Sequence, residues 1–435
     1  MEKLNKVSFS DIDNLNLNSF GKLEQFSSDQ SITDYVLSDM NEIKTLKKVK
    51  TKSYFRSSFN MKDLDLVHLN LKQFAISFPL SYVTHFSRLE TLKMKIISNY
   101  VDKNSKIKYY DTLKELYISR RRKPASENNS IPHFLALNVH KFKNLKIFSG
   151  LISPSYEHQD IELNNAFPSE NPPLTELEAI KLPRGDYSIN FFFTKNSKTN
   201  YFPKLKYFYN SKKYDKLQNQ INDLSFPCTL RGLVYNSVSK FLDLSFLSAL
   251  PNLSFLNLDL VCYQSQYNFI SCLKNLKFLK LSVSKFHQTA STRDWSFLNK
   301  LSKLEYLDLS NLKDVDNETI KEISKIPFLS YLDVSLCRSI TDLSPLSNLP
   351  KLEKLFTHNN PNITQIMEKS DSLSLWIFSG NFGSIIENIN DLRLPSLSNF
   401  TLFDDNTIKK NNFDFILSFP SMRYLEFNSN SILFL

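Results

Sequence analysis

The chain of 435 residues is 41% hydrophobic and carries a formal net charge of +10 at pH 7. That apolar content is enough to bury a substantial core, so the composition argues against a disordered chain. With only 6 glycines present, the composition also argues against folds that bind phosphate through glycine-rich loops.

The amino-terminal residues do not have the pattern of a targeting segment. Residues 1–17 interrupt their apolar side chains with charges, and no apolar run in the chain approaches the roughly 20 residues that cross a bilayer. We therefore expect an intracellular protein, cytoplasmic or nuclear, with no membrane contact. Cys228, Cys262, Cys272 and Cys337 show neither CxxC pairing nor zinc-ligand spacing, so we expect reduced thiols and no metal site.

In chain order, residues 1–60 form the least regular region. Apolar residues recur there weakly, as Ile12/Leu15/Leu17 and Ile43/Leu46. We interpret the region as divergent amino-terminal repeats or as a cap for the array that follows.

From residue 61 to residue 435 the chain repeats one apolar pattern. Apolar residues occupy the first, fourth and sixth positions of roughly fifteen units, at intervals of about 21 to 32 residues. The four most regular units are Leu253/Leu256/Leu258, Leu276/Leu279/Leu281, Leu304/Leu307/Leu309 and Leu329/Leu332/Val334. The pattern predicts a short strand whose fourth and sixth residues point into a core and whose third and fifth residues point outward. Stacked units would then bury one continuous core.

The segments between the strands are predicted to form a second, convex layer of helices and irregular structure. Residues 316–326 place Ile320, Ile323 and Ile326 at helical spacing behind a cap at Asp316 or Asn317. Longer segments between about residues 119 and 202 are interpreted as insertions between repeats.

A basic run lies in the region of these insertions. It comprises Arg120, Arg121, Arg122 and Lys123, and most of the excess positive charge is found in residues 51–150 and 201–300. The run is a candidate nuclear-import signal or a contact for an acidic partner. A solvated charge run is the alternative.

Aromatic residues occupy the third position of several units. They are Phe255, Phe278, Tyr306 and Tyr331 in successive units, and Tyr207 and Tyr424 in more distant ones. Adjacent parallel strands lie about 4.8 Å apart, so the four neighbouring rings are predicted to form a ladder about 15 Å long on the concave face. Such a ladder could anchor a protein or peptide, because aromatic side chains dominate interface hot spots. The alternative is that the rings only pack against one another.

The fifth positions beside the ladder change charge along the array. In successive units these positions are occupied by Asn257, Lys280, Asp308, Asp333 and Phe356, so the charge of the row changes from basic to acidic. This pattern would position a partner of mixed charge. An ordinary solvated face is the alternative.

The repeat resembles that of the leucine-rich-repeat superfamily over most of the chain. The unit at 329–349 is similar to the cysteine-containing repeats of F-box leucine-rich-repeat proteins, with Cys337, Ile340, Thr341 and Asp342 on the matching positions. No F-box is recognisable near the amino terminus. The resemblance implies an α/β leucine-rich-repeat solenoid, a curved horseshoe with its parallel sheet on the concave face, and a role in protein recognition.

The residues favour binding over catalysis. No phosphate-binding, zinc-protease or serine-hydrolase motif is present, and the seven histidines are scattered along the chain. We therefore predict a non-catalytic scaffold, without cofactor, that binds a protein partner on its concave face. One alternative, implied by the resemblance, is the substrate receptor of an F-box-type ubiquitin ligase, which would bind a Skp1-like adaptor. Another is a nuclear basic factor that contacts nucleic acid, although no zinc finger or RNA-binding motif supports it.

Overall fold

The described part of the chain forms two compact units. The computed structural model describes residues 6–9, 22–28, 43, 45–51, 68–74, 88–96, 111–120, 142–149, 174–182, 202–210, 226–236, 244–259, 267–282, 294–365, 377–380, 396–404 and 420–429. The first unit comprises residues 1–212 and 223–229, and the second comprises residues 213–222 and 230–435.

Each unit contains a parallel sheet in which consecutive strands of the chain are neighbours. The first unit holds β1 (Lys6–Phe9), β2 (Gln25–Ser28), β3 (Lys48–Thr51), β4 (His68–Phe74), β5 (Thr91–Ile96), β6 (Glu115–Arg120), β7 (Ile147–Ser149), β8 (Ala179–Leu182) and β9 (Tyr207–Asn210). The second holds β10 (Gly232–Asn236), β11 (Phe255–Asp259), β12 (Phe278–Ser282), β13 (Tyr306–Asp308), β14 (Tyr331–Asp333), β15 (Lys354–Thr357), β16 (Ile377–Gly380), β17 (Asn399–Asp404) and β18 (Tyr424–Ser429). Each repeat adds one parallel strand, which confirms the predicted solenoid with a parallel sheet.

The strands stack in register, so equivalent residues of successive repeats become lateral neighbours. In β11 and β12, Leu256 pairs with Leu279 and Leu258 pairs with Leu281. All four leucines are buried, whereas the residues between them are half-buried. This alternation places the fourth and sixth positions of the repeat in the core. The third and fifth positions lie on the opposite side of the sheet, here called the open face.

Hydrogen bonds between consecutive repeats hold this register just before each strand. The N–H groups of Lys277 and Phe278 donate to the carbonyl oxygen of Ser254, at 2.8 and 3.0 Å. In two repeats a serine hydroxyl bonds to the same carbonyl as the backbone N–H groups: Ser254 donates to the carbonyl of Arg231 at 3.1 Å, and Ser330 to that of Glu305 at 3.0 Å. Backbone polar groups at the strand entrance are thus satisfied by the neighbouring repeat.

The layer opposite the sheet in the second unit consists of short helices. It contains one described α-helix, α1 (Asn317–Ile323), and 3₁₀ helices at Ser245–Ala249, Asn268–Cys272, Ser296–Lys300 and Ser344–Asn348. Asp316 caps α1: its Oδ1 accepts the N–H of Thr319 at 3.0 Å, and the Thr319 hydroxyl accepts the N–H of Asp316. Ile320 and Ile323 face the core, as their spacing predicted.

The residues that carry the resemblance to the cysteine-containing repeats have structural roles. Cys337 is fully buried, and its thiol donates to the carbonyl of Leu309 at 3.3 Å. Burial raises the pKa of the Cys337 thiol to about 12, so the group stays protonated. The Asn317 side chain bonds to the N–H groups of Thr341 and Asp342, which joins successive repeats.

Residues 1–60 contain three strands that continue the same repeat. Ile43 and Leu46 are buried just before β3, and Leu23 and Phe26 hold the equivalent places before and within β2. Ile12, Leu15 and Leu17 lie outside the described residues. The fifteen strands β4–β18 follow the units that begin near residue 66, whereas β1 and β2 had no clear sequence signal.

Within the described residues, the helices are all too short or too polar to cross a bilayer.

Three residues at equivalent points of successive repeats adopt left-handed backbone conformations. Asn311, Leu336 and Asn359 have φ values of 65°, 63° and 57°. Asparagine tolerates this conformation, but a leucine side chain does not, because its Cβ crowds the following carbonyl. Leu336 is 37% exposed, so its side chain offsets this strain with less burial than the core leucines provide.

We expect Leu336→Asn to raise the free energy of unfolding by about 1 kcal/mol, since it removes strain of that size. The measurement is the urea midpoint followed by circular dichroism. Leu336→Ala is the matched control, because it removes the same apolar side chain but keeps a Cβ without a compensating amide. Equal midpoints for the two variants would show that strain at this position is not the cause.

Candidate partner-binding face

Four aromatic rings form a continuous stack on the open face of the second unit. Phe255, Phe278, Tyr306 and Tyr331 are direct register partners on β11–β14. Consecutive ring centroids are 4.1, 4.1 and 3.9 Å apart, and the ring planes differ by 12 to 13°. These distances are shorter than the usual strand spacing of about 4.8 Å, so the rings lean together and cover one another's faces.

The stack begins and ends where the third position loses its ring. On β10 the residue opposite Phe255 is Gly232, and on β15 the residue opposite Tyr331 is Lys354. The sequence therefore limits the stack to four strands. All four rings are half-buried, so their faces are packed while part of each ring stays accessible. Mutual packing and an accessible surface thus occur together.

The two tyrosine hydroxyl groups of the stack are hydrogen-bonded to each other. Burial is the main cause of the raised pKa of both Tyr306 and Tyr331. The bond between them raises the pKa of Tyr331 further and opposes the increase at Tyr306, as expected if Tyr331 donates. Both hydroxyls therefore remain neutral near pH 7 and present fixed polar groups beside the rings.

The charged fifth positions interact with one another across the strands. Lys280 forms an ion pair with Asp308, its register partner on β13, whose side chain is only 4% exposed. Burial lowers the pKa of Lys280, but the hydrogen bond and charge of Asp308 raise it more, so the ammonium group stays charged. Asn257 lies on the other side of Lys280 on β11. The predicted change of charge along this row is therefore partly neutralised within the molecule.

Asp333 is the next acidic residue in the row. Like Asp308 it accepts a backbone N–H two residues further on, but within the described ranges it lacks the lysine partner that Asp308 has. Its Oδ1 accepts the N–H of Ser335 at 3.0 Å, and the Ser335 hydroxyl also bonds to the carboxylate. Burial raises the pKa of the Asp333 carboxyl, with a further increase from Asp308, and the Ser335 bonds only partly offset these effects. Asp333 forms no ion pair within the described residues.

Two aromatic residues of β15 and the turn after it complete this part of the face. Phe356 is the register partner of Asp333, and its ring lies 5.2 Å from that of Tyr331 with an angle of 34° between the planes. His358 lies 5.9 Å from Phe356. Burial lowers the pKa of His358, and the charge of Asp333 only partly restores it, so the imidazole is neutral near pH 7.

The sequence pattern did not place Ser335 or His358 at this face. Both lie two residues beyond a fifth position, on the same alternation as the open-face residues. The two-residue alternation was the signal in the sequence that could have identified them, since it continues beyond the last leucine position of the repeat.

The remaining predicted residues are not part of the stack. Tyr207 lies on β9 in the first unit, where its ring stacks with that of Tyr209 at 6.5 Å. Tyr424 is 52% exposed on β18, separated from the stack by β15–β17. Arg120 is the last residue of β6. Arg121, Arg122 and Lys123 lie outside the described residues.

Comparisons with known proteins show similarity at the level of solved structures. No protein-family model matches the chain. No curated protein matches it by sequence either.

Three of the similar solved structures are leucine-rich-repeat proteins or an internalin. An internalin from Listeria monocytogenes has 14% identity and a TM-score of 0.40, over 95% of this chain and 88% of that one. A leucine-rich-repeat protein from Leptospira interrogans has 15% identity and a TM-score of 0.45, over 97% and 96%. The ectodomain of the membrane receptor kinase GASSHO1/SCHENGEN3 from Arabidopsis thaliana, in complex with CASPARIAN STRIP INTEGRITY FACTOR 2, has 13% identity and a TM-score of 0.36, over 95% and 45%. Similarity this low carries no functional argument.

An interior ring of the stack should contribute more stability than a terminal one. Phe278→Ala removes contacts with two rings, whereas Phe255→Ala removes contacts with one. Because a stacked pair contributes about 0.5–1.5 kcal/mol beyond burial, we expect the Phe278 variant to lose that much more free energy of unfolding. Urea denaturation of both variants measures the difference. An equal loss would mean that stacking adds nothing to simple burial.

The charge of Asp333 should lower stability near neutral pH. Because its folded-state pKa lies above the ordinary value of about 3.9, the stability it contributes is complete below that value and is lost as the pH rises through the folded pKa. Asp333→Asn removes this term and keeps an oxygen for the Ser335 N–H. We expect the variant to gain stability relative to the wild type as the pH rises from 4 to 7, measured by thermal unfolding. A pH-independent difference would contradict this cause.

Proposed function

We propose that the chain is a non-catalytic recognition scaffold that binds a protein partner on the open face of its second unit. The observation that carries the proposal is the continuous stack of four half-buried aromatic rings, flanked by a row of charged residues. Tyrosine and other aromatic residues are enriched at binding hot spots. A function of this kind belongs to the site and does not follow from the fold alone.

The rigidity of the stack supports binding. Each interior ring is held on both faces, and the tyrosine hydroxyls are fixed by their mutual hydrogen bond. Side chains that are already ordered lose little conformational entropy when a partner binds. The open face is thus pre-organised for recognition, and its polar hydroxyls provide directional contacts beside the apolar rings.

The arrangement around Asp333 supports a non-catalytic role. Asp333, His358 and Ser335 are the residue types of a catalytic triad, and they lie close together. Ser335 Oγ, however, accepts the backbone N–H of His358 at 3.0 Å, and its hydroxyl bonds to Asp333. A serine nucleophile needs a bond to the imidazole that removes its proton. The Ser335 hydroxyl instead orients the carboxylate.

A role as the substrate receptor of an F-box-type ubiquitin ligase is a narrower form of the same proposal. It rests on the resemblance of the unit at 329–349, whose cysteine, isoleucine, threonine and aspartate match the family pattern. Copurification with a Skp1-like adaptor and a cullin would support this role, and their absence from the purified protein would reject it.

An anionic partner is a second candidate, favoured by the open face of the first unit. Lys48, Lys50, Lys93 and Lys181 all lie at third or fifth positions of its strands. Lys93 Nζ is 4.5 Å from the centre of the Tyr117 ring. Binding of DNA or RNA that persists at about 0.2 M salt would favour a nucleic-acid role, whereas its loss would indicate nonspecific attraction.

We also propose that the protein is intracellular. Cys272 is an exposed thiol and Cys337 a buried one, and neither forms a disulfide within the described residues. Exposed reduced cysteines are typical of reducing compartments. Oxidation of Cys272 in protein isolated from cells under thiol-blocking conditions would argue against this location.

Substitution in the stack should weaken binding of the physiological partner. We expect Phe278→Ala and Tyr306→Ala each to reduce the binding free energy by about 1–4 kcal/mol, because they remove ring surface at the centre of the proposed interface. Isothermal titration with the purified partner measures the change. Phe328→Ala is the matched control, since Phe328 is 55% exposed and lies outside the strands. An equal loss in the control would reject the open face as the binding site.

A further inference from the structure

We propose that Asp333 and Phe356 form a binding site, here called the arginine site, for an arginine side chain of the protein partner. The inference rests on the proposed function, because it names the chemical group that would occupy one part of the same open face.

Within the described part of the chain, Asp333 is an acid of this row that forms no ion pair. Lys280 neutralises Asp308 through their ion pair. Lys280 also experiences the charge of Asp333, but no ion pair joins the two residues. His358, the nearest titratable group on β15 and the turn after it, is neutral near pH 7 because burial lowers its pKa. The local charge of this group is therefore negative, which complements a basic side chain.

The molecule holds this carboxylate in position at a cost in stability. Burial and the neighbouring Asp308 disfavour its charged form, and the two bonds from Ser335 keep it oriented on the face. Asp333 is half-buried, so part of the residue remains accessible to a partner. A cation brought by the partner would remove the cost, since an opposite charge nearby favours the charged form.

Phe356 supplies a surface that the stacked rings do not. Each interior ring of the stack has both faces covered by neighbours about 4 Å away, and its exposed edge carries partial positive charge. Phe356 lies outside the stack, at a fifth position, and its plane is turned by 34° from that of Tyr331 and by 40° from that of His358. It also sits directly beside Asp333 in the register. The half-buried ring of Phe356 is thus the aromatic group on the strand next to the acid.

An aromatic face beside a carboxylate suits arginine better than lysine. The planar guanidinium group stacks on aromatic rings and offers parallel N–H donors to a carboxylate, whereas the ammonium group of lysine is a strongly hydrated point charge. Lys354 lies two residues before Phe356, in the row of Tyr331. Its positive charge would repel a basic group on that side, so the arginine is expected to approach from the carboxyl-terminal ends of the strands.

The test uses the full-length chain and a random peptide library displayed on phage. Peptides selected on the wild-type chain are expected to share an arginine next to apolar residues. The consensus peptide is then synthesised, and its binding to wild type, Asp333→Asn and Phe356→Leu is measured by fluorescence anisotropy. We expect each variant, and the peptide with citrulline in place of arginine, to bind about tenfold more weakly. Asp333→Asn combined with the citrulline peptide should lose little more than either change alone.

The outcomes separate this inference from the proposed function. The selected peptides could lose binding to the Phe278→Ala variant and yet show no preference for arginine, or prefer lysine. Either result would contradict the proposed arginine site but would leave the proposed recognition face intact. Additive losses for Asp333→Asn and citrulline would also contradict the arginine site. If no peptide distinguishes wild type from Phe278→Ala, both proposals fail. Phe328→Ala is the control that should bind like the wild type.

Discussion

The in-register parallel pairing of one strand per repeat is the constraint on which the other features depend. Because each strand meets its neighbour at the same repeat position, any residue type that recurs once per repeat becomes a column across the sheet. Leucines at the fourth and sixth positions form buried columns, and a single repeat could not bury them alone. The same pairing turns aromatic third positions into a stack and charged fifth positions into lateral ion pairs.

The residues on the two sides of the sheet are subject to different packing constraints. On the core side, Cys337 and Ile340 match a known repeat family, yet both are fully buried and serve packing. Their resemblance therefore reports on how the repeats fit together and says little about a partner. The open face is free of that packing requirement, so its columns can vary with function. In the first unit they include several lysines and tyrosines, and in the second they include the ring stack, two acids and the lysines Lys280 and Lys354.

Asp333 is a residue of the open face whose charged form carries a local cost in stability. A buried leucine improves the core wherever it recurs, but a half-buried carboxylate next to another acid is disfavoured by burial and by repulsion. Departures from local stability of this kind tend to occur at functional sites, where the cost is offset by packing elsewhere. The rigid stack beside Asp333 offers such packing, because its rings hold one another in place.

The sequence by itself determined the strand order, the core leucines and the four members of the ring stack, because each depends on a short repeat period that is visible in the sequence. It limited the cap of α1 to Asp316 or Asn317, and the structure shows that Asp316 is the cap. It missed β1 and β2, whose apolar residues depart from the leucine pattern. Only the tertiary structure decided that Lys280 pairs with Asp308, that the ring of Phe356 is tilted relative to that of Tyr331, and that Leu336 takes a left-handed backbone. These features depend on side-chain distances, burial and turn geometry between neighbouring repeats. The repeat period of the sequence assigns a residue to a column of the sheet, but it does not specify the contacts of that residue with the next strand.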